Sequence, residues 1–287
     1  MLLRDFIRDA VSSLESLYPQ AEARSIILML CEELLGVKSY THVIEPEYEI
    51  DMAAMPRLSE ALHRLCAAEP VQYVLGHADF YGHRFHVTRD VLIPRPETEI
   101  LVQEALALAG GGKVRILDLC TGSGCIAWSL ALALPGAEVT GADISEAALG
   151  VARGQVLATP GMNAPDFVLA DILRDPAGFA EEASFDMIVS NPPYVMESQR
   201  AEMRPNVLEY EPGLALFVPD EDPLVFYRAV AAWAKRLLVP GGRGIVEIND
   251  LLADSLVQLF SASGFSDITP ICDLSGAVRH ISFLKRL

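Results

Sequence analysis

No apolar run in this chain reaches the roughly 20 uncharged residues that a membrane-spanning helix needs, so no transmembrane segment is expected. Its opening, Met1-Leu2-Leu3-Arg4-Asp5, goes straight into an amphipathic pattern with acids included, unlike a secretory signal. Cysteine is sparse. Cys31, Cys66, Cys120, Cys125 and Cys272 are scattered and odd in number, and no pair has the C-x-x-C spacing of a zinc site or a redox motif. They read as small packing residues in a reducing compartment. A cytoplasmic location is expected.

Basic residues are also in deficit: 22 Lys and Arg stand against 39 Asp and Glu, a net charge of −17. Nucleic-acid binding draws most of its affinity from cations that displace phosphate counterions, so this balance argues against a DNA or RNA partner. Arg84, Arg89 and Arg95 fall in one stretch, but ordinary surface arginines explain them more simply. Internal repeats and low-complexity segments are absent. What remains is an ordinary globular composition, 51% apolar and 21% charged, in 287 residues. Length alone does not choose between one domain and a large domain with a small one.

The first 75 residues read as helices. Phe6, Ile7, Ala10, Val11, Leu14 and Leu17 recur at helical spacing and stop at Tyr18-Pro19. Ala23, Ile26, Ile27, Leu30 and Leu34 form a second stripe closed by Gly36, and Leu58, Ala61, Leu62 and Leu65 a third that ends near Pro70. A small helical bundle is expected over 1–75. Residues 76–95 turn aromatic and β-branched, with Phe80, Tyr81, Phe85, Val87 and Val91, and read as a β-hairpin linker. His77, His83 and His86 lie here, but His83 and His86 point to opposite faces of a strand and no carboxylate is suitably spaced. No metal is expected.

From 96 to 287 strand and helix patterns alternate. A helix from Glu97 to about Ala109 is ended by Gly110-Gly111-Gly112. Val114 to Leu119 is a buried strand and Cys125 to Leu134 a helix. Glu138 to Asp143 is a strand, and Ser145 caps a helix to about Ala158. Short strands follow at Phe167 to Leu169 and Phe185 to Ser190, then a helix from Phe226 to Leu238. Gly244 to Ile248 is a strand, Leu251 to Ala262 a helix, and Ile268 to Cys272 and Arg279 to Leu284 close the chain. This order implies an α/β domain with a mainly parallel sheet and helices on both faces.

Two segments carry chemistry. Leu117-Asp118-Leu119-Cys120-Thr121-Gly122-Ser123-Gly124-Cys125 joins a buried strand to a helix, where glycines let the backbone approach a nucleotide-like ligand. A dinucleotide site needs G-x-G-x-x-G; here Ala127 stands at the third small position, which leaves NAD open. Asp118 favours S-adenosylmethionine, whose ammonium wants a carboxylate and whose carboxylate wants N–H donors. Asp143, at the tip of the next strand, suits a ribose diol for either cofactor, and Asp171 is a candidate for the adenine amino group. Structural or capping roles remain the alternatives for all three acids.

The second segment, Asn191-Pro192-Pro193-Tyr194, follows a buried strand directly. Its prolines fix φ and remove two N–H donors, leaving a rigid loop with bare carbonyls. The Asn191 side-chain oxygen and the Pro192 carbonyl can each accept a hydrogen from a planar NH₂ group, while Tyr194 lies against its flat face. Held in this way, a poorly nucleophilic amide or exocyclic nitrogen would expose its lone pair to a methylsulfonium, with catalysis by placement and electrostatics.

With these motifs the chain resembles the HemK/PrmC family of protein-(glutamine-N5) methyltransferases. Further matching segments are Phe80-Tyr81-Gly82, Leu92-Ile93-Pro94-Arg95-Pro96-Glu97-Thr98-Glu99 and Tyr210-Glu211-Pro212-Gly213-Leu214-Ala215-Leu216-Phe217. The resemblance implies a Rossmann-like class I methyltransferase domain with a mainly parallel seven-stranded sheet, preceded by a helical bundle for substrate docking. It implies methyl transfer from S-adenosylmethionine, with S-adenosylhomocysteine as product, to the glutamine of the Gly-Gly-Gln motif in class-1 peptide release factors. Asn191, Pro192 and Tyr194 would be catalytic, and Asn191 to Tyr194 would bind the substrate amide. Asp118, Cys120, Thr121, Gly122, Ser123, Gly124, Asp143, Asp171 and Asn191 would hold the cofactor. The chain departs from the family pattern at Cys120, where glycine is usual, at Asn249-Asp250, and over Asp273 to Arg279. Asn-Pro-Pro-Tyr is shared with N6-adenine methyltransferases of DNA or RNA, which stay the first alternative, ahead of a nucleotide-binding Rossmann protein without methyl transfer.

Overall fold

The computed structural model describes every residue except Gly111, Gly112, Ala158 and Leu274. The expected glycine stop at 111–112, the helix end at Ala158 and one position of the Asp273–Arg279 segment therefore lie outside the described residues. The chain divides into two compact units, Met1–His77 with Arg204–Tyr210, and Ala78–Met203 with Glu211–Leu287.

The first unit is built on helices α1 (Leu3–Leu14), α2 (Gln20–Leu35), α3 (Thr41–Ile44), α4 (Met55–Cys66) and α5 (Val71–Leu75). Most periodic apolar residues of α1 and α2 are buried, with Ile26 and Leu34 covered only in part. Leu3, Phe6, Ile7, Leu14, Ile27 and Leu30 share a core with Leu58 and Leu65 of α4. Gly36 ends α2 in the left-handed conformation at φ 68°, its N–H bonded to the Glu32 carbonyl, a conformation glycine adopts without strain. The short helices α3 and α5 have no sequence periodicity to announce them.

The second unit opens with the hairpin β1 (His77–Phe80) and β2 (His83–His86). Tyr81 and Gly82 between them both have positive φ, 48° and 76°, the type I′ geometry that suits strand twist. Phe80 and Phe85 meet edge to face and join one of the unit's cores, so the hairpin packs as part of this unit. Then come α6 (Thr98–Ala109), β3 (Arg115–Leu119), α7 (Cys125–Ala133), β4 (Glu138–Asp143), α8 (Glu146–Arg153), β5 (Asp166–Leu169) and β6 (Phe185–Ser190). The two-residue strands β7 (Val195–Met196) and β8 (Phe217–Val218) pair in parallel on either side of the excursion that carries α9 (Pro205–Leu208) in the first unit. The chain closes with α10 (Val225–Leu237), β9 (Leu238–Glu247), α11 (Ala253–Ala262), β10 (Phe265–Cys272) and β11 (Val278–Lys285).

Seven strands form one sheet in the order β10-β11-β9-β6-β3-β4-β5, parallel from β9 to β5, with β11 antiparallel to both its neighbours. Strands β3 and β6 lie centrally and are buried on both faces, which is why their sequences are mostly apolar, with Asp118 the buried exception inside β3. One face packs on α6, α7 and α8 through Leu101, Ala105, Leu130 and Leu149, and the other on α10 and α11 through Tyr227, Val230, Leu256 and Phe260. Each fully buried Leu or Phe contributes on the order of 2 kcal/mol of transfer free energy. The chain runs from β3 through β4 to β5 on one side, then returns to β6 on the other. That reversal opens a crevice at the carboxyl ends of β3 and β6.

Candidate active site

The glycine turn leaves β3 along an alternating path: Cys120, Gly122 and Gly124 are left-handed, with φ of 60°, 54° and 78°. At Cys120 this conformation costs strain that a glycine would not incur. The turn is held from several sides. The Thr121 N–H donates to the Ala142 carbonyl at 3.0 Å, and its hydroxyl to Asp118 Oδ2 at 2.6 Å. The Gly122 N–H donates to Asp143 Oδ2 at 2.9 Å. Gln155, buried after α8, donates from Nε2 to the Ser123 and His86 carbonyls while its Oε1 accepts from the His86 N–H, so the turn is tied to the hairpin.

Asp118 is fully buried; its Oδ1 has no hydrogen-bond partner among the described residues. Burial pushes its carboxyl up to about 7, helped by the Asp143 charge and opposed by the Thr121 hydroxyl. Burial also raises Asp143, against the N–H groups of Ser145 and Gly122.

Across the crevice, Asn191 leaves the end of β6, where the Ser190 hydroxyl donates to the Leu119 carbonyl of β3 at 2.7 Å. Asn191 Nδ2 donates to Thr98 Oγ1 at 3.2 Å. Thr98, the first residue of α6, donates from that hydroxyl to Glu247 Oε2 at 2.6 Å. The Tyr194 hydroxyl donates to Glu247 Oε1 at 3.0 Å, and burial together with the Glu247 charge raises the phenol above its ordinary value. A second clamp holds the roof: Glu211 Oε2 accepts from the Ile93 N–H at 3.1 Å, and Glu211 Oε1 pairs with Arg95.

Between these walls lies a cleft. Cys120, Thr121, Gly122, Ser123, Asp143, Asp171, Asn191 and Pro193 line it, while Asp118, Gly124, Pro192 and Tyr194 do not. Of the residues expected to hold a cofactor, Asp118 thus stands behind the turn, bonded to Thr121. Asp171 lines the wall with its Oδ1 accepting from the Leu173 N–H at 2.9 Å.

The chain's relatives match this architecture. The PrmC N-terminal domain model matches residues 5–76 and the Methyltransferase small domain model residues 96–208. The release factor glutamine methyltransferase of Bacteroides thetaiotaomicron is 39% identical over 270 residues, 93% of this chain and 94% of that protein. The one from Flavobacterium psychrophilum is 38% identical over 287 residues, 98% of each. The chain belongs to the release factor glutamine methyltransferase family. A solved methyltransferase structure from Pyrococcus furiosus shares the fold, with a TM-score of 0.52 at 17% identity over 80% of this chain and 100% of that one.

Departures from the family pattern of release factor glutamine methyltransferases have local accommodations. Asn249 sits at φ −72°, so no glycine is required there. Its side chain donates to the Tyr194 carbonyl and Gln199 and accepts from the Leu251 N–H, which anchors the strand after Tyr194. Asp273 turns the β10–β11 connection by accepting from Ser275, Ala277 and Arg279. Thr98, Glu211 and Glu247 were not singled out as site residues by the sequence. Two of them lie inside the segments that carry the family resemblance, which was the available signal.

Proposed function

We propose that this protein methylates the side-chain amide nitrogen (N5) of the glutamine in the Gly-Gly-Gln motif of class-1 peptide release factors, in the cytoplasm. The observation that carries the reading is the state of Asn191. Its NH₂ is committed to Thr98, which leaves Oδ1 as an acceptor at the mouth of β6, next to two prolines that offer no N–H. An acceptor pair from Asn191 and the Pro192 carbonyl matches the two hydrogens of a primary amide. Gripping both hydrogens favours pyramidal nitrogen and a free lone pair.

The cofactor side fits S-adenosylmethionine. The backbone of Cys120 to Ser123 lines the cleft and allows close approach, Asp143 keeps lone pairs for a diol, and Asp171 stands on the wall where an adenine amino group would be met. Asp118 supports that turn from behind by accepting from the Thr121 hydroxyl. When bound, S-adenosylmethionine supplies a methyl group already activated by its sulfonium charge, so the reaction requires no metal. Asn191 and the Pro192 carbonyl orient the amide, Tyr194 holds the loop through its bond to Glu247, and Pro193 stiffens the wall. The helical unit α1–α5 serves as the docking domain for the protein substrate. A net charge of −17 disfavours the adenine alternative.

The test is Asn191→Ala. Turnover on a purified release factor should fall by about a hundredfold or more, with the S-adenosylhomocysteine dissociation constant changed by less than about threefold. Near-normal methylation by this variant would refute the role of Asn191.

A further inference from the structure

An asparagine side chain can present either its oxygen or its NH₂ to a neighbour, and only the first is useful for gripping an amide hydrogen. Something must choose. Thr98 and, behind it, Glu247 make that choice by hydrogen-bond polarity. Glu247, at the end of β9, is only 2% exposed and, as a carboxylate, accepts but does not donate. The Thr98 hydroxyl has one proton, and at 2.6 Å from Glu247 Oε2 that proton is committed to the carboxylate. Thr98 Oγ1 can then only accept from Asn191, so the Asn191 atom facing it must be Nδ2. Oδ1 is turned the other way. The same carboxylate takes the Tyr194 proton on its second oxygen, which holds the far end of the Asn-Pro-Pro-Tyr loop. His280 of β11 lies 3.6 Å from Glu247 Oε2, and its ring is fully buried.

We propose that Thr98 and Glu247 form a positioning relay that sets the Asn191 amide in the orientation required for methyl transfer. Neither residue is a catalytic group, since both act through Asn191 and Tyr194. Thr98 comes from α6, Glu247 from β9 and Asn191 from β6, so the relay stitches three elements at the one point where the acceptor amide must be held. This inference rests on the proposed glutamine methylation.

Thr98→Val keeps the shape of the side chain and removes the hydroxyl, while Thr98→Ser keeps the hydroxyl. With a release factor as substrate, T98V should lower kcat by about a hundredfold with little change in KM, because misorientation at the reacting group is what is lost. S-adenosylhomocysteine should bind T98V within about twofold of the parent, and T98S should recover kcat to within about threefold. Glu247→Gln places an NH₂ where one of the two hydroxyls needs an acceptor, and should reproduce the kcat loss even if T98V fails to fold. The losses of T98V and E247Q should not multiply in the double variant, since each breaks the same chain. Parental kcat in T98V, equal impairment of T98S and T98V, or losses that multiply would each overturn the relay. A parent protein that adds no methyl to the release-factor glutamine would overturn the functional reading instead, which the same assay reveals before any variant is made.

Discussion

The Thr121 hydroxyl donates to Asp118 Oδ2 at 2.6 Å, and this bond joins the glycine turn to a carboxylate with no exposure to water. Such a group is costly to ionise. The folded-state value of about 7 lies above that of a free aspartate, so the folded protein holds its proton more tightly than the unfolded chain does. Stability therefore falls as pH rises from about 4 to about 7 and is flat above that, for this group alone.

Asp118→Asn, neutral at every pH, removes the dependence and still accepts from Thr121. The variant should gain stability over the parent on the order of 4 kcal/mol at pH 8, shrinking toward zero near pH 4. Urea unfolding of both proteins at pH 5 and pH 8 measures this. A difference that does not change between the two pH values would contradict it.

Cys120 adopts φ 60° with a side chain attached. Cys120→Gly should leave stability within about 1 kcal/mol of the parent, because relief of strain offsets the added freedom of the unfolded chain. Cys120→Val places a β-branched side chain in the same conformation and should cost about 2 kcal/mol or more. Thermal or urea unfolding of the pair decides. Equal stability of the two variants would show that the turn relaxes.

Gly141 on β4 lies under the turn: a Cβ there would come 2.7 Å from both the Phe167 ring and Thr121 Oγ1. Gly141→Ala should displace Thr121 from Asp118, cost about 1–3 kcal/mol and weaken S-adenosylhomocysteine binding. Calorimetric titration with S-adenosylhomocysteine checks the second effect. Unchanged affinity would mean that the turn does not depend on that contact.

Glu211 is buried and engages both the Ile93 N–H and Arg95. Glu211→Ala leaves an N–H and a guanidinium beside the cleft without this partner, at a cost of about 3 kcal/mol. Limited proteolysis should then cut the 92–96 segment faster than in the parent. A proteolysis rate equal to the parent's would show that the segment is held elsewhere.

The sheet was legible because buried parallel strands such as Ile116 to Leu119 and Met187 to Ser190 are predominantly apolar, and helical stripes lie between them. The crevice was legible from two local motifs, each written in consecutive residues. What the sequence hid is non-local or too short to be periodic. Thr98 and Glu247 are 149 positions apart and meet only once β9 is laid beside β6. Strand β9 begins at Leu238, ahead of the Gly244 start read from the sequence, because Gly241 at φ 79° lets the chain bend where glycines suggested a loop. Helix α8 stops at Arg153, short of the apolar residues that follow it, and Gln155 turns inward to hold Ser123. The placement of Asp118 behind the turn follows from the side-chain alternation of β3, which spacing to the glycines does not convey.

The most direct measurement is a methyl-transfer assay with the whole protein, S-adenosylmethionine and a purified class-1 release factor, with peptide mass spectrometry to locate the added group. The account requires one methyl on the glutamine of Gly-Gly-Gln and none when that glutamine is replaced. Methyl groups placed on another residue, or on adenine in nucleic acid but not on the release factor, would contradict it.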